Sequence, residues 1–303
     1  RCDRSSLAEG AGVVERLAPA LFVLIWATGW IVAKYVAVAQ ADPLTFLVLR
    51  FAAATLVIGG FALAVRAPWP RRGRDWVHGL VSGVLLHAVY LGGVWWAIGA
   101  GLPSGISAVL AALQPLLTAI LARPLLGERL SPTNVGGIAV GFVGLLAVLA
   151  PKLAGITAGT LSQVVMPLLV NVVAMVGVTA GTFYQKRYIA SGDLRSVATV
   201  QYVGALMVIW PLAILAEPEM RLPVSWETLY ALLWSVLVLS IGAISLMLMM
   251  IRRGKVSQVA SLIFLIPPTA ALQAWLMFDE RLTALQIMGM CITALGVFLA
   301  TRK

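Results

Sequence analysis

At 303 residues, 61% hydrophobic and 11% charged, with mean hydropathy +0.97, the chain is too apolar to fold around one aqueous core; a soluble domain carries about 25% charged residues. Apolar runs of about 20 residues recur along it, the length a helix needs to cross hydrocarbon, and the short alternating segments of a β-barrel are absent. The net charge of +10 resides in loops, where Lys and Arg set membrane topology, so it does not signal nucleic acid. Cys2 stands at the terminus and Cys291 within the last apolar run, so neither a disulfide framework nor a metal site is implied. The first sixteen residues mix charge signs without an apolar h-region, so no signal peptide is expected.

Hydropathy predicts ten spans, at 17–38, 44–65, 76–98, 103–125, 132–150, 163–187, 194–215, 227–250, 255–277 and 283–301. The interruptions are turn formers or charges, such as Asp42-Pro43, Pro68 to Arg74, Leu102-Pro103, Ser131-Pro132 and Glu217-Pro218-Glu219. Span one places Trp26 and Trp30 one helical turn apart near mid-membrane, below the headgroup level where tryptophans usually sit. They either line a cavity or pack between helices, and each indole N–H needs a partner. Span three carries His87 and Tyr90 at i and i+3. His87 is the one deep side chain with an ordinary pKa in the physiological range, and an ionisable group at that depth is by default a functional candidate.

Span four has a polar face. Ser104, Ser107, Ala111, Gln114 and Thr118 fall on one helical stripe. Pro115 removes a backbone donor and is expected to free the carbonyl near Ala111. The stripe serves either a water-filled cavity or hydrogen bonds between helices. Later spans offer Gln163, Asn171 and Tyr184, then Ser235 and Ser245, then Ser257 and Ser261, with Pro267-Pro268 expected to kink span nine. Spans five and ten carry Gly137, Gly141, Gly144, Gly289 and Gly296, suited to close helix packing.

The chain also repeats itself. Residues 104–148 align without gaps on residues 256–300, a shift of 152, with eleven of forty-five positions identical. Pro115 meets Pro267, Glu128-Arg129-Leu130 meets Glu280-Arg281-Leu282, Gly137 meets Gly289 and Gly144 meets Gly296. Upstream, Gly29 meets Gly181 and Lys34 meets Lys186. A repeat offset by five spans is inverted in the membrane, the arrangement that lets one scaffold open to either side. With the N-terminus inside, seventeen Lys and Arg fall on that side and five on the other, so both termini are expected in the cytoplasm. The expected fold class is an all-α membrane protein of ten transmembrane helices, two inverted five-helix repeats covering 17–150 and 163–301.

No Asp or Glu occupies the middle of a predicted span. Glu128 and Glu280 stand at span ends, each followed by Arg, so an ion pair or a helix-end anchor is their expected role. No P-loop, zinc-protease or serine-hydrolase motif with its partners is present. The chain is therefore expected to be no enzyme and to take no cofactor and no metal.

Ten spans in inverted halves, with Pro115 and Pro267 each followed at fixed spacing by Glu-Arg-Leu, resemble the EamA group of the drug/metabolite transporter superfamily. The Trp-rich first span ending in Lys34 is also similar. The resemblance runs from residue 17 to the end and is strongest to YddG-type exporters of aromatic and other neutral amino acids. It implies a central cavity formed by spans one, three, four, six, eight and nine, the spans that carry the polar residues here. The resulting expectation is a bacterial inner-membrane exporter of neutral or aromatic amino acids, or similar amphipathic metabolites, acting as a facilitator or exchanger. Trp26, Trp30, His87 and Tyr90 would form its aromatic wall, and Ser107, Gln114 and Ser245 its hydrogen-bonding groups. The expected partners are a small-molecule substrate and membrane lipid, with no nucleic acid, and a monomer is the expected state. The alternative is a proton-coupled multidrug or toxic-cation exporter. The small four-helix relatives couple drug efflux to protons through a glutamate in the first span, and no such residue stands in span one here.

Overall fold

A computed structural model describes residues 4–111, 113–126, 131–154, 161–189, 192–243, 246 and 265–301. Its elements among those residues are all helical: α1 (Arg4–Val38), α2 (Pro43–Ala64), α3 (Gly73–Gly99), α4 (Ser104–Leu110), α5 (Leu113–Leu126), α6 (Pro132–Ala154), α7 (Leu161–Tyr188), α8 (Leu194–Ala216), α9 (Trp226–Ala243), α10 (Ile266–Phe278) and α11 (Ala284–Thr301). Among the described residues, six stretches are long and apolar enough to cross a membrane, namely Leu17–Val38, Pro43–Ala64, Gly73–Gly99, Val165–Tyr188, Leu194–Ala216 and Trp226–Ala243, and shorter apolar helices accompany them. Leu56, Phe61, Leu63, Met207, Trp210 and Leu215 all stand exposed on the outside. So broad an apolar exterior suits lipid, not water.

Helix boundaries follow local chemistry. Pro43 opens α2, where its missing N–H goes unmissed. Asp193 caps α8 by accepting from the Arg195 amide at 2.9 Å, and the Arg195 side chain returns to the same carboxylate. Hydrogen bonding to Arg195 holds the Asp193 carboxyl down at about 2. Gly101, at φ +97°, supplies the left-handed residue that turns the chain from α3 toward α4. Pro267 and Pro268 fall in the first turn of α10. Most of span nine before them, on which the expected kink depends, lies outside the described residues.

The helices meet in a regular pattern. α6 pairs most extensively with α11, and α2 with α8. α3 packs on α7, and α1 packs on α9; α1 also meets α10, and α5 meets α7. Both α3 and α9 contain a π-helical stretch, Val84–Gly92 and Trp234–Ala243.

Glycine sets the closest approaches. A Cβ on Gly144 would strike the Thr293 backbone and would lie 2.7 Å from the Gly289 carbonyl oxygen, and one on Gly296 would strike the Gly141 backbone. The small-residue faces expected on spans five and ten are therefore in backbone contact. α3 and α8 are joined in the same way, since a Cβ on Gly83 would overlap the Gln201 carbonyl. Gln201 Nε2 then donates to Ser82 Oγ at 2.9 Å beside that contact. With no hydrophobic effect to drive helices together in lipid, such close packing and hydrogen bonding carry the association.

Two carboxylates fasten helix ends. Glu217 accepts from the Leu44 amide at 2.9 Å and from the Thr45 amide and hydroxyl at 2.7 and 2.9 Å. It thereby caps α2 from the end of α8. Glu280 does the same for α4 from beyond α10, accepting from Ser104 Oγ at 3.0 Å and the Gly105 amide at 3.2 Å. A carboxylate at a helix N-terminus meets free amides and the positive end of the dipole. Arg281, which follows Glu280, pairs instead with Asp279 at 2.9 Å.

Candidate functional site

The fourth predicted span is two helices. α4 ends at Leu110 and α5 begins at Leu113. At the join the Ala111 amide is shared between the Ser107 and Ala108 carbonyls, both at 3.2 Å. Pro115 cannot donate to Ala111, and the Gln114 amide takes that carbonyl at 3.1 Å. The carbonyl expected to be free is thus satisfied by a tighter turn. Discontinuous helices of this kind, placed between packed neighbours, are where transporters build their binding sites.

Two of the polar residues singled out in the sequence, Ser107 and Gln114, flank the break. Ser107 is fully buried, and its hydroxyl accepts from Asn171 Nδ2 of α7 at 2.6 Å. The Asn171 Oδ1 is also buried and has no partner. Gln114 is half-buried, and its backbone carbonyl accepts from Thr118 Oγ1 at 2.8 Å. On α1, Trp30 is buried with its Nε1 unpartnered. Trp26 is half-buried against Phe22, ring centroids 5.3 Å apart. Between the two indoles, Thr28 accepts from Trp234 Nε1 at 2.9 Å and ties α1 to α9. Ser245 and Glu128 lie outside the described residues.

His87 and Tyr90 both fall in the π-helical part of α3, a geometry that recurs at functional sites. The His87 ring stacks on Tyr202 of α8, centroids 4.6 Å apart, and its Nδ1 is buried without a partner. His78 is different. Its Nε2 receives Arg74 Nε at 3.0 Å and its Nδ1 meets the Tyr184 hydroxyl at 2.7 Å. Arg can only donate, so Nε2 is the acceptor and Nδ1 carries the proton. His78 is thus saturated at the end of α3 while His87 is not.

The sequence candidates omit Arg50 and Tyr202. Arg50 is buried on α2, its guanidinium carbon 5.5 Å from the Trp95 ring centroid. The signal was present, since an arginine eight residues into a hydrophobic helix is a functional candidate on depth alone. Grouping it with loop charges hides it. Tyr202 carried no signal, because an aromatic residue in a span is ordinary. No group of three His, Cys, Asp or Glu able to hold a metal occurs among the described residues.

Two clusters result among the described residues: Ser107 with Asn171 where α4 meets α7, and His87 with Phe51 and Tyr202 where α3 meets α2 and α8. The sequence profile of the EamA-like transporter family matches residues 17–150 and 165–302. A relative named "Probable amino-acid metabolite efflux pump" in Escherichia coli (strain K12) is 22% identical over 287 residues, 92% of each chain. The "Uncharacterized transporter YvbV" of Bacillus subtilis (strain 168) is 25% identical over 94% of this chain and 90% of its own. The "Uncharacterized inner membrane transporter YedA" of Escherichia coli (strain K12) is 25% identical over 93% of this chain and 89% of its own. One solved crystal structure shares the fold with a TM-score of 0.60 at 21% identity, over 95% of this chain and 97% of that one. With both long segments of the chain matched, this multi-pass membrane protein belongs to the EamA-like transporter family.

Proposed function

We propose that the chain is an inner-membrane exporter of neutral or aromatic amino acids, or of similar amphipathic metabolites, working by alternating access. The observation that carries the reading is the broken α4–α5 helix, with Ser107 held by Asn171 on one side of the break and Gln114 on the other. Trp26, Trp30, His87 and Tyr90 supply the aromatic wall, and Ser107, Gln114 and Ser245 supply hydrogen bonds. The relatives named as amino-acid metabolite efflux pumps support the direction and the cargo class.

Two halves, 17–150 and 163–301, inverted in the membrane, supply the movement. Three features support this division. The sequence repeats at an offset of 152. The pairings of α3 with α7 and of α1 with α9 are counterparts under a five-span shift. The two π-helical stretches occupy counterpart helices. Both termini face the cytoplasm on this reading, as the seventeen-to-five division of Lys and Arg supports. The protein works as a monomer.

The decisive experiment is counterflow in proteoliposomes against a panel of amino acids, with and without an imposed pH gradient. The expected result is exchange of neutral or aromatic amino acids that ignores the gradient. Uptake that follows the gradient and favours organic cations would establish the proton-coupled alternative in its place. His87→Ala is expected to depress exchange while the protein is still recovered folded; full exchange by that variant would remove His87 from the site.

A further inference from the structure

Arg50 is a buried cation with no anion paired to it among the described residues. It is the eighth residue of α2 and 6% exposed, and its Nε has no hydrogen-bond partner. Among the described residues it forms no ion pair; the pairs present are Lys34–Glu280, Arg195–Asp193, Arg221–Glu219 and Arg281–Asp279. Its surroundings are aromatic. The Trp95 ring lies 5.5 Å from the guanidinium carbon, and Phe51, the next residue, packs on Tyr202 at 5.7 Å between centroids. Trp95 is itself held by Phe46, stacked at 5.3 Å and an interplanar angle of 18°. His87 is wedged against Tyr202 at 4.6 Å and Phe51 at 5.9 Å, with its own Nδ1 buried and unpartnered.

Charged groups are almost never fully buried unless paired. A ring face offsets part of the desolvation of a guanidinium, yet it offers no oxygen to the N–H fork. That fork matches a planar anion with two oxygens, and it does so as arginine and not as lysine. One guanidinium without further cations balances one negative charge. A monoanionic carboxylate therefore fits where a phosphate dianion would leave charge uncompensated in a low-dielectric site.

We propose that Arg50 is the cation of a carboxylate-binding subsite between α2, α3 and α8, with Trp95 and Tyr202 as its walls and His87 Nδ1 as a second polar contact. The proposal deepens the export reading. It gives the carboxylate end of the cargo to Arg50 and leaves the Ser107 hydroxyl, which accepts from Asn171 and keeps a proton to donate, for the rest of the cargo. Arg50 is 6% exposed and its Nε is fully buried, so the ligand is met by the outer nitrogens of the fork.

The test is calorimetric titration of the purified full-length protein in detergent with 3-phenylpropionate, 3-phenylpropionamide and phenyl phosphate. The acid is expected to bind about tenfold tighter than the amide, the scale of one charge-assisted hydrogen bond. Arg50→Gln should abolish that preference by weakening the acid and leaving the amide unchanged. Arg50→Lys should weaken the acid about threefold or more, because the fork is lost while the charge remains. Equal binding of acid and amide by the wild-type protein would overturn the proposal without any variant. So would a folded Arg50→Gln that keeps the preference, and tighter binding of phenyl phosphate would overturn the carboxylate assignment. Should Arg50→Gln fail to fold, Arg50→Lys decides, and unchanged acid binding there would also overturn it. Binding is read without transport. A protein that exchanges amino acids but shows no role for Arg50 sinks this inference alone, and one that binds the acid through Arg50 without exchanging amino acids sinks only the export reading.

Discussion

Lys34 Nζ stands 3.3 Å from Glu280 Oε1, and the second oxygen of that carboxylate receives the Ser104 hydroxyl and the Gly105 amide. One side chain thus fastens α1, α4 and α10 at a single point. Both partners are partly shielded, with side chains 24% and 14% exposed, so the contact is worth more than an open surface pair. Glu280→Gln is expected to lower stability by about 1.5–3 kcal/mol, the range for hydrogen bonds to a charged group. Thermal unfolding in detergent measures it. In a double-mutant cycle with Lys34→Met the double variant should lose less than the sum of the two single losses; strict additivity would show that the ion pair is idle.

The contact of α6 with α11 leaves no room at Gly144, where an added side chain meets the backbone of Thr293 and Gly289. Gly144→Leu should cost at least the about 1–3 kcal/mol typical of overpacking, because backbone cannot move aside as a flexible side chain can. Folded yield by size-exclusion chromatography should fall sharply. Gly60→Ala, at a site with open space around it, serves as the control and should keep the wild-type yield.

Ser107→Ala removes the acceptor for Asn171 Nδ2 and leaves a buried amide without partners. The expected loss is about 1–3 kcal/mol, the desolvation penalty of an orphaned polar group. Replacing both residues, Ser107→Ala with Asn171→Leu, should restore part of that stability. A double variant less stable than Ser107→Ala alone would mean that Asn171 is held by contacts other than this bond.

The Asp193 carboxyl, held at about 2 by its hydrogen bonds to Arg195, makes the cap of α8 sensitive to acid. An unfolded Asp titrates near about 3.9, so a lowered folded pKa adds stability that is complete above that value and disappears as pH falls through about 2. Asp193→Asn should therefore melt lower than wild type at pH 7. The gap should narrow below about pH 4 and close near pH 2. A melting-temperature gap independent of pH would assign the cap to shape and not to charge.

Much of the architecture was legible in the residues. Mean hydropathy and the length of the apolar runs gave membrane helices, because no other backbone arrangement satisfies its own hydrogen bonds within one segment in lipid. The glycines of spans five and ten announced their contact, since an absent side chain is itself a statement about distance. Trp30, His87 and Ser107 could be named because polar atoms deep in an apolar run must find a use.

Partnership was not legible, because it depends on which atoms meet across helices far apart in sequence. Glu280 stands beside Arg281 in the chain yet bonds Lys34 and the start of α4, since a helix N-terminus within reach offers several amides at once. Pro115 was readable as a missing donor, but only the tighter turn at Gln114 showed the freed carbonyl to be taken. Arg50 is the plainest instance. The sequence determined that a cation enters the second span; only the tertiary structure decided that it sits against Trp95 and pairs with no carboxylate among the described residues, because burial and pairing are properties of the packed helices together.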